Sequence, residues 1–160
     1  MPDPDARVFF EFFNEIGIIE QLSRTLLEAR LPEGLIAPHF TVLNHLVRLG
    51  DGRAPIDMAR AFQVPKTSLT HTLKTLQTRG LVTLAPNPGD GRSKLVWLTD
   101  AGRRLHGQTI TALGPDFAAL AEKIDPADIA PILPVLKAVR VTLDKARDAP
   151  QAAVLQSHKG

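Results

Sequence analysis

The stretch from Lys66 to Thr78 holds side chains whose types and spacing suit a specific chemistry. Leu69, Leu73 and Leu76 recur at steps of four and three, which gathers apolar groups on one face of a helix. Lys66, Thr67, Ser68, Thr70, His71, Lys74, Thr75 and Thr78 are left on the other face. Short hydroxyl side chains let a helix approach a surface closely and can bond phosphate oxygens or base edges, while two lysines add charge. Threonine is a middling helix former, so five of them in one helix need a reason beyond solvation. His71 adds an imidazole that can be charged beside phosphate and neutral elsewhere. A second candidate is Arg92, set between Asp90 and Lys94 just after the glycine- and proline-rich run Pro86-Asn87-Pro88-Gly89-Asp90-Gly91. A guanidinium on a narrow ribbon can enter a minor groove, where negative potential is concentrated, and Asp90 can orient it or brace the tip.

Other chemistries find no support. The 160 residues include no cysteine, which excludes disulfides, thiolate metal sites and a thiol nucleophile. The histidines, His39, His45, His71, His106 and His158, show no i, i+4 pair that would join two metal ligands on one helix face. No glycine-rich phosphate loop follows a strand, and no Gly-x-Ser-x-Gly stands in the chain, so neither a cofactor nor catalysis is expected. Met1-Pro2-Asp3-Pro4-Asp5 carries acid where a secretory signal carries base, and no apolar run is long enough to span a bilayer. A cytoplasmic protein without a membrane partner is the expectation.

The formal net charge is only +2, but it is unevenly spread. From Arg53 to Arg104 nine Lys and Arg face three acids, a net +6, and the remaining residues are net −4. A basic centre between acidic arms suits a polyanion at the centre and another role for the arms.

The elements that must position these residues follow from periodicity and punctuation. Phe9, Phe12, Phe13, Ile16, Ile19, Leu22 and Leu26 form one wide stripe, predicting a long amphipathic helix over residues 6–30. Four of the seven phenylalanines crowd its first turns. That load suits burial against a partner subunit, and periodicity alone fits an ordinary core helix equally. A second helix is predicted from Pro38 to the stop at Gly50, a short one over 56–62, and another from Lys66 to Arg79 with Gly80 as its left-handed cap. The β-prone runs Leu81-Val82-Thr83-Leu84 and Leu95-Val96-Trp97-Leu98 then predict a hairpin with its tip over 86–91. Thr99 suits the cap of a following helix, kinked near Gly114-Pro115. Asp125-Pro126 starts a last helical stretch that Pro131 and Pro134 should break or bend. Helix, short helix, turn, helix and hairpin is the order of a winged helix-turn-helix, which sets one helix in the major groove and the hairpin against the neighbouring backbone or minor groove.

The run Gly80-Leu81-Val82, followed by Pro86 to Gly102 with its Asp-x-Arg wing signature and its Leu98-Thr99-Asp100-Ala101-Gly102 segment, resembles the MarR family of bacterial transcriptional regulators. Looser similarity in helix order covers roughly residues 8–147. Pro65, Thr83, Ala85, Pro131 and Pro134 depart from the family's usual pattern. The resemblance implies a homodimer whose first and last two helices interlock, two recognition helices in successive major grooves, and a small ligand between the dimerisation and DNA-binding regions.

The expected fold is mainly α with a small β-hairpin wing: a dimerisation helix over 1–35, a winged helix-turn-helix over 36–100, C-terminal dimerisation helices over 101–148 and a mobile tail over 149–160. The expected function is a homodimeric, sequence-specific transcriptional regulator, repressor or activator, on a pseudopalindromic operator in double-stranded DNA. Its DNA contacts would be Lys66, Thr67, Ser68, Thr70, His71, Lys74, Thr75, Arg92 and Lys94, with Asp90 supporting the wing. Phe12, Phe13, His39 and Phe40 could line a pocket for a small aromatic effector, although core packing explains the phenylalanines as well. The competing expectation is a winged-helix module that binds protein instead of DNA.

Overall fold

The computed structural model describes residues 3–149. Among them the order is α1 (Pro4–Glu28), α2 (Ala37–Leu49), α3 (Pro55–Phe62), α4 (Lys66–Thr78), β1 (Val82–Asn87), β2 (Asp90–Leu98), α5 (Asp100–Ala112), α6 (Gly114–Ala121), α7 (Pro126–Ile129) and α8 (Ile132–Asp148). The chain divides into two units, residues 1–117 and 118–160. This is a mainly helical fold with a two-stranded antiparallel wing, as expected. The expected tail lies, from residue 150 onward, outside the described residues.

In the first unit the buried core runs from Leu35 to Leu98. Val42, Leu43 and Leu46 of α2, Met58 of α3, and Leu69, Leu73 and Leu76 of α4 meet Val82, Val96 and Leu98 of the hairpin. The three leucines that defined the inner face of α4 in the sequence are therefore the ones that anchor it. The corner between α3 and α4 is set by Gln63, whose left-handed backbone (φ 55°) lets the Val64 amide donate to Ala59 O at 3.1 Å. Its own Nε2 donates to Arg60 O at 2.7 Å, which supports this conformation in a residue with a Cβ. Gly80 ends α4 with φ 68°, and the Leu81 amide reaches back to Leu76 O at 2.9 Å. This is the six-to-one bond of a Schellman cap, and it turns the chain directly into β1.

The hairpin is longer and its turn tighter than the sequence suggested. β1 continues through Pro86, opposite Lys94, and Asn87, opposite Asp90; the register shifts between these pairs, so Gly91, Arg92 and Ser93 bulge without opposite residues and Pro88 and Gly89 form the turn. Pro86 is tolerated because β1 is an edge strand of a two-stranded sheet, where a missing N–H costs no ladder bond on its outer side. Side chains then tie the end: Asn87 Nδ2 donates to Ser93 Oγ at 3.1 Å, and Asn87 Oδ1 accepts the Gly89 amide at 3.0 Å.

Thr99 caps α5 as its type predicts, accepting the Gly102 amide at 3.0 Å while its hydroxyl donates to Gly80 O at 2.7 Å. α5 stops at Leu113, one residue before Gly114-Pro115. α1 packs on α2 at one end, where Glu28 Oε1 accepts the Ala37 amide at 2.8 Å. Arg30 also meets Asp116 through two bonds of 2.8 and 2.7 Å. Yet no residue of α1 is buried: Phe9, Phe10 and Leu22 are 57%, 72% and 66% exposed.

In the second unit Asp125 caps α7, accepting the Ala127 amide at 2.9 Å. The expected break falls between α7 and α8, with Pro131 at the junction and Pro134 in the first turn of α8, where an absent N–H leaves no helix bond unmade. Leu133, Val135 and Leu143 of α8 are exposed.

Candidate nucleic-acid interface

The outer face of α4 is built by the burial of its inner one. With Leu69, Leu73 and Leu76 fixed in the core, Lys66, Thr67, Ser68, Thr70, His71 and Lys74 are exposed and Thr75 is half-buried. Pro65 precedes the helix and no side chain caps it. The first main-chain bond runs from the Leu69 amide to Pro65 O at 3.2 Å, so the amides of the first turn sit at an end that favours an anion. The threonine hydroxyls are oriented too. Thr70 donates to Lys66 O at 2.9 Å, Thr75 to His71 O at 3.4 Å and Thr78 to Lys74 O at 2.9 Å. With their protons committed inward, these oxygens keep lone pairs for an outside donor.

On the wing, Asp90, Arg92 and Lys94 are all exposed. Asp90 meets the Arg92 backbone, its Oδ1 accepting that amide at 3.0 Å. Seven of the nine basic residues of the central segment divide by role. Arg53 donates to the carbonyls of Leu49 and Gly50 at the end of α2, Arg79 donates to Glu33 O at 2.6 Å, and Arg103 pairs with Asp51. Those three hold the fold together. Lys66, Lys74, Arg92 and Lys94 are exposed on α4 and the wing, the two elements that a winged helix offers to DNA, while Arg60 and Arg104 are exposed on α3 and α5.

The MarR family model matches residues 33–93, which span α2 to the wing tip. The apo crystal structure of wild-type MarR from E. coli shares 29% identity, over 79% of this chain and 94% of that one, with a TM-score of 0.67. A segment that matches the MarR family model thus lies in a chain that shares the fold of E. coli MarR. A mutant of E. coli MarR complexed with operator DNA is similarly related, at 27% identity and a TM-score of 0.66, covering 86% of this chain and 98% of that one. Among characterised relatives, the transcriptional activatory protein BadR of Rhodopseudomonas palustris is 30% identical over 101 residues, 62% of this chain. The match spans 56% of BadR's own length. The segment matching the MarR family model contains every DNA-facing candidate named from the sequence except Lys94, which follows it by one residue.

The four residues named for an effector pocket make the following contacts. Phe12 and Phe13 meet each other edge-on, with centroids 5.4 Å apart. His39 is buried and its Nδ1 accepts the Ile36 amide at 2.9 Å, closing the first turn of α2. Phe40 lies flat on His106, 5.2 Å between centroids and 7° between planes. A cavity of about 280 Å³ opens elsewhere, between Glu20 and Arg24 of α1, Pro38 and Thr41 of α2, Phe62 and Val64 at the α3–α4 corner, and Ser68, Leu69 and Thr72 of α4. None of the four lines it. Its walls come from separate elements with no shared spacing, so the sequence carries no local signal for it.

Buried imidazoles surround this module. His39, His45 and His106 all titrate below the ordinary histidine range, with burial the first cause in each. The charges of Arg79 and His71 add to the effect at His39. Arg48 and Arg53 add at His45. Among the described residues no group of three or more His, Asp or Glu gathers as a metal site, and no helix is long and apolar enough to cross a membrane.

Proposed function

We propose that the protein is a homodimeric, sequence-specific DNA-binding transcriptional regulator of the bacterial cytoplasm. α4 reads base edges in the major groove while the wing sets Arg92 and Lys94 against the adjoining backbone or minor groove. The observation that carries this reading is the division of basic residues: four are presented outward on α4 and the wing, on a scaffold similar to one that has been crystallised with operator DNA. Binding should weaken steeply with salt, because each neutralised phosphate releases a counterion and steepens the dependence of log affinity on log salt by about 0.9. Titrating a labelled duplex at several salt concentrations tests it. Absence of binding even at low salt would leave a protein-interaction module as the better reading.

The dimer is supported by apolar surface. Phe9, Phe10, Ile19 and Leu22 of α1, and Leu133, Val135 and Leu143 of α8, are exposed in the single chain. Burying each such side chain contributes about 1.5–3 kcal/mol, so a second copy covering both helices offsets a large cost of hydration. Twofold symmetry then makes the operator pseudopalindromic. Sedimentation as a monomer at micromolar concentration would contradict this.

A small-molecule effector has a place to act in the 280 Å³ cavity, because α4 itself supplies part of the wall through Ser68, Leu69 and Thr72. Ser68 borders both the cavity and the exposed face of the helix. A ligand seated there bears directly on the DNA-reading element. A thermal-shift screen of small aromatic compounds that finds no stabiliser would count against it.

A further inference from the structure

The turn between α2 and α3 runs along the edge of β2 that β1 leaves open. There the amides of Gly52 and Arg53 donate to Val96 O at 2.9 and 3.3 Å, and the Val96 amide donates to Arg53 O at 2.8 Å. Two residues along, the same edge presents the Leu98 amide, and its acceptor is a side chain: Asp51 Oδ1, at 2.9 Å. The other oxygen, Asp51 Oδ2, takes the guanidinium of Arg103, in the first turns of α5. The Asp51 side chain is only 18% exposed, so both charge-assisted bonds are partly shielded from water. One carboxylate thus joins the entry to the helix-turn-helix, the base of the wing and the helix that leads out of the module.

The lever arm gives this joint its importance. Arg92 lies six residues beyond Leu98 in the bulged end of the strand, at most about 20 Å away at the usual rise, so a tilt of roughly 10° at the base displaces the tip by up to about 3 Å, enough to undo a hydrogen bond. Among the described residues β2 makes a single bridge outside the hairpin, Arg53 with Val96. Burial of Val82, Val96 and Leu98 holds the base on the core, but apolar contact is non-directional and sets pitch less sharply than hydrogen bonds do.

We propose that Asp51 is a positioning residue for DNA binding, fixing the pitch of the wing against α4 so that Arg92 reaches the duplex in register with the recognition helix. The inference rests on the DNA-binding role of the wing. Trp97, the chain's only tryptophan, supplies a native reporter that needs no DNA. It stands between the two anchored residues and over Gly52, where an added Cβ would lie 3.1 Å from the indole.

The test is a double-mutant cycle on the full chain. Asp51→Ala, Arg92→Ala and the pair are titrated against a labelled mixed-sequence duplex at low salt, and the fluorescence anisotropy decay of Trp97 is recorded in the free proteins. Asp51→Ala should add a fast component to the decay and weaken binding about fivefold, yet cost under about twofold once Arg92 is already alanine. Asp51→Asn, which keeps the acceptor for Leu98, should restore most of both. Losses that multiply across the cycle, or an Asp51→Ala protein with unchanged decay and affinity, would overturn the proposal. If Asp51→Ala does not fold, Arg103→Gln takes its place under the same two criteria. If the wild type binds no duplex, the DNA-binding reading fails, and the Trp97 decay alone decides whether Asp51 holds the wing.

Discussion

Asp90 braces the wing tip through the backbone of Arg92, its Oδ1 accepting the Arg92 amide at 3.0 Å. A carboxylate so placed stiffens the turn without neutralising the guanidinium by direct pairing, which suits the DNA contact proposed for this arginine. Arg92→Ala should therefore lower affinity by a similar factor on most sequences and reduce the salt slope by about 1. Parallel titrations of several unrelated duplexes check this. A loss confined to one sequence would show instead that Arg92 reads a base.

Thr67 and Ser68 occupy the exposed first turn of α4, where the helix can approach base edges most closely. Thr67→Ala or Ser68→Ala should change the order of preference among duplexes while leaving the salt slope near its original value. Competition assays with a panel of related sites measure this directly. If both variants keep the wild-type order, the reading face has been misassigned.

Stability should fall as solution turns acidic. His39, His45 and His106 all bind protons less readily in the fold than in the unfolded chain, because burial disfavours their charged forms. The unfolded chain therefore takes up protons first. The stability they contribute is complete above the unfolded value, about pH 6.5, and declines as the pH drops below it toward the folded values. Thermal melts between about pH 7.5 and about pH 5.5 should show the decline. His39→Asn, which retains an acceptor for the Ile36 amide, should flatten it, and a melting temperature independent of pH would contradict the account.

Gly102 is fixed by space rather than by backbone freedom. A Cβ there would stand 2.2 Å from the Leu81 carbonyl oxygen and 2.8 Å from Leu98 Cδ1. Gly102→Ala should destabilise the protein by about 1–3 kcal/mol, as overpacking of a tight contact does. Denaturant unfolding gives the number, and a stability equal to wild type would show that α5 can move away from the turn without penalty.

Much of this architecture was legible because single residues punctuate it strongly. The leucine spacing in α4, Gly80 as a left-handed cap, Thr99 and Asp125 as helix caps, and Pro131 as a break each act through local geometry. The tip of the wing was misjudged because Pro86 reads as a turn residue, whereas an edge strand can hold it opposite Lys94. Sequence gives the charge of the central segment but not which cations are tied to internal acceptors. Nothing local distinguishes Arg53, Arg79 and Arg103, which bind internal acceptors, from Arg92, and the partners of Arg79 and Arg103 lie 46 and 52 residues away. The 280 Å³ cavity and the Asp51 joint were invisible for the same reason: each is assembled by packing between elements distant in the chain.

Selection of bound duplexes from a random pool by the wild-type chain tests the central claim most directly. The account predicts enrichment of a pseudopalindrome whose half-sites lie one helical turn apart, about 34–36 Å, with binding that weakens steeply as salt rises. Recovery of no enriched sequence at low salt would contradict it.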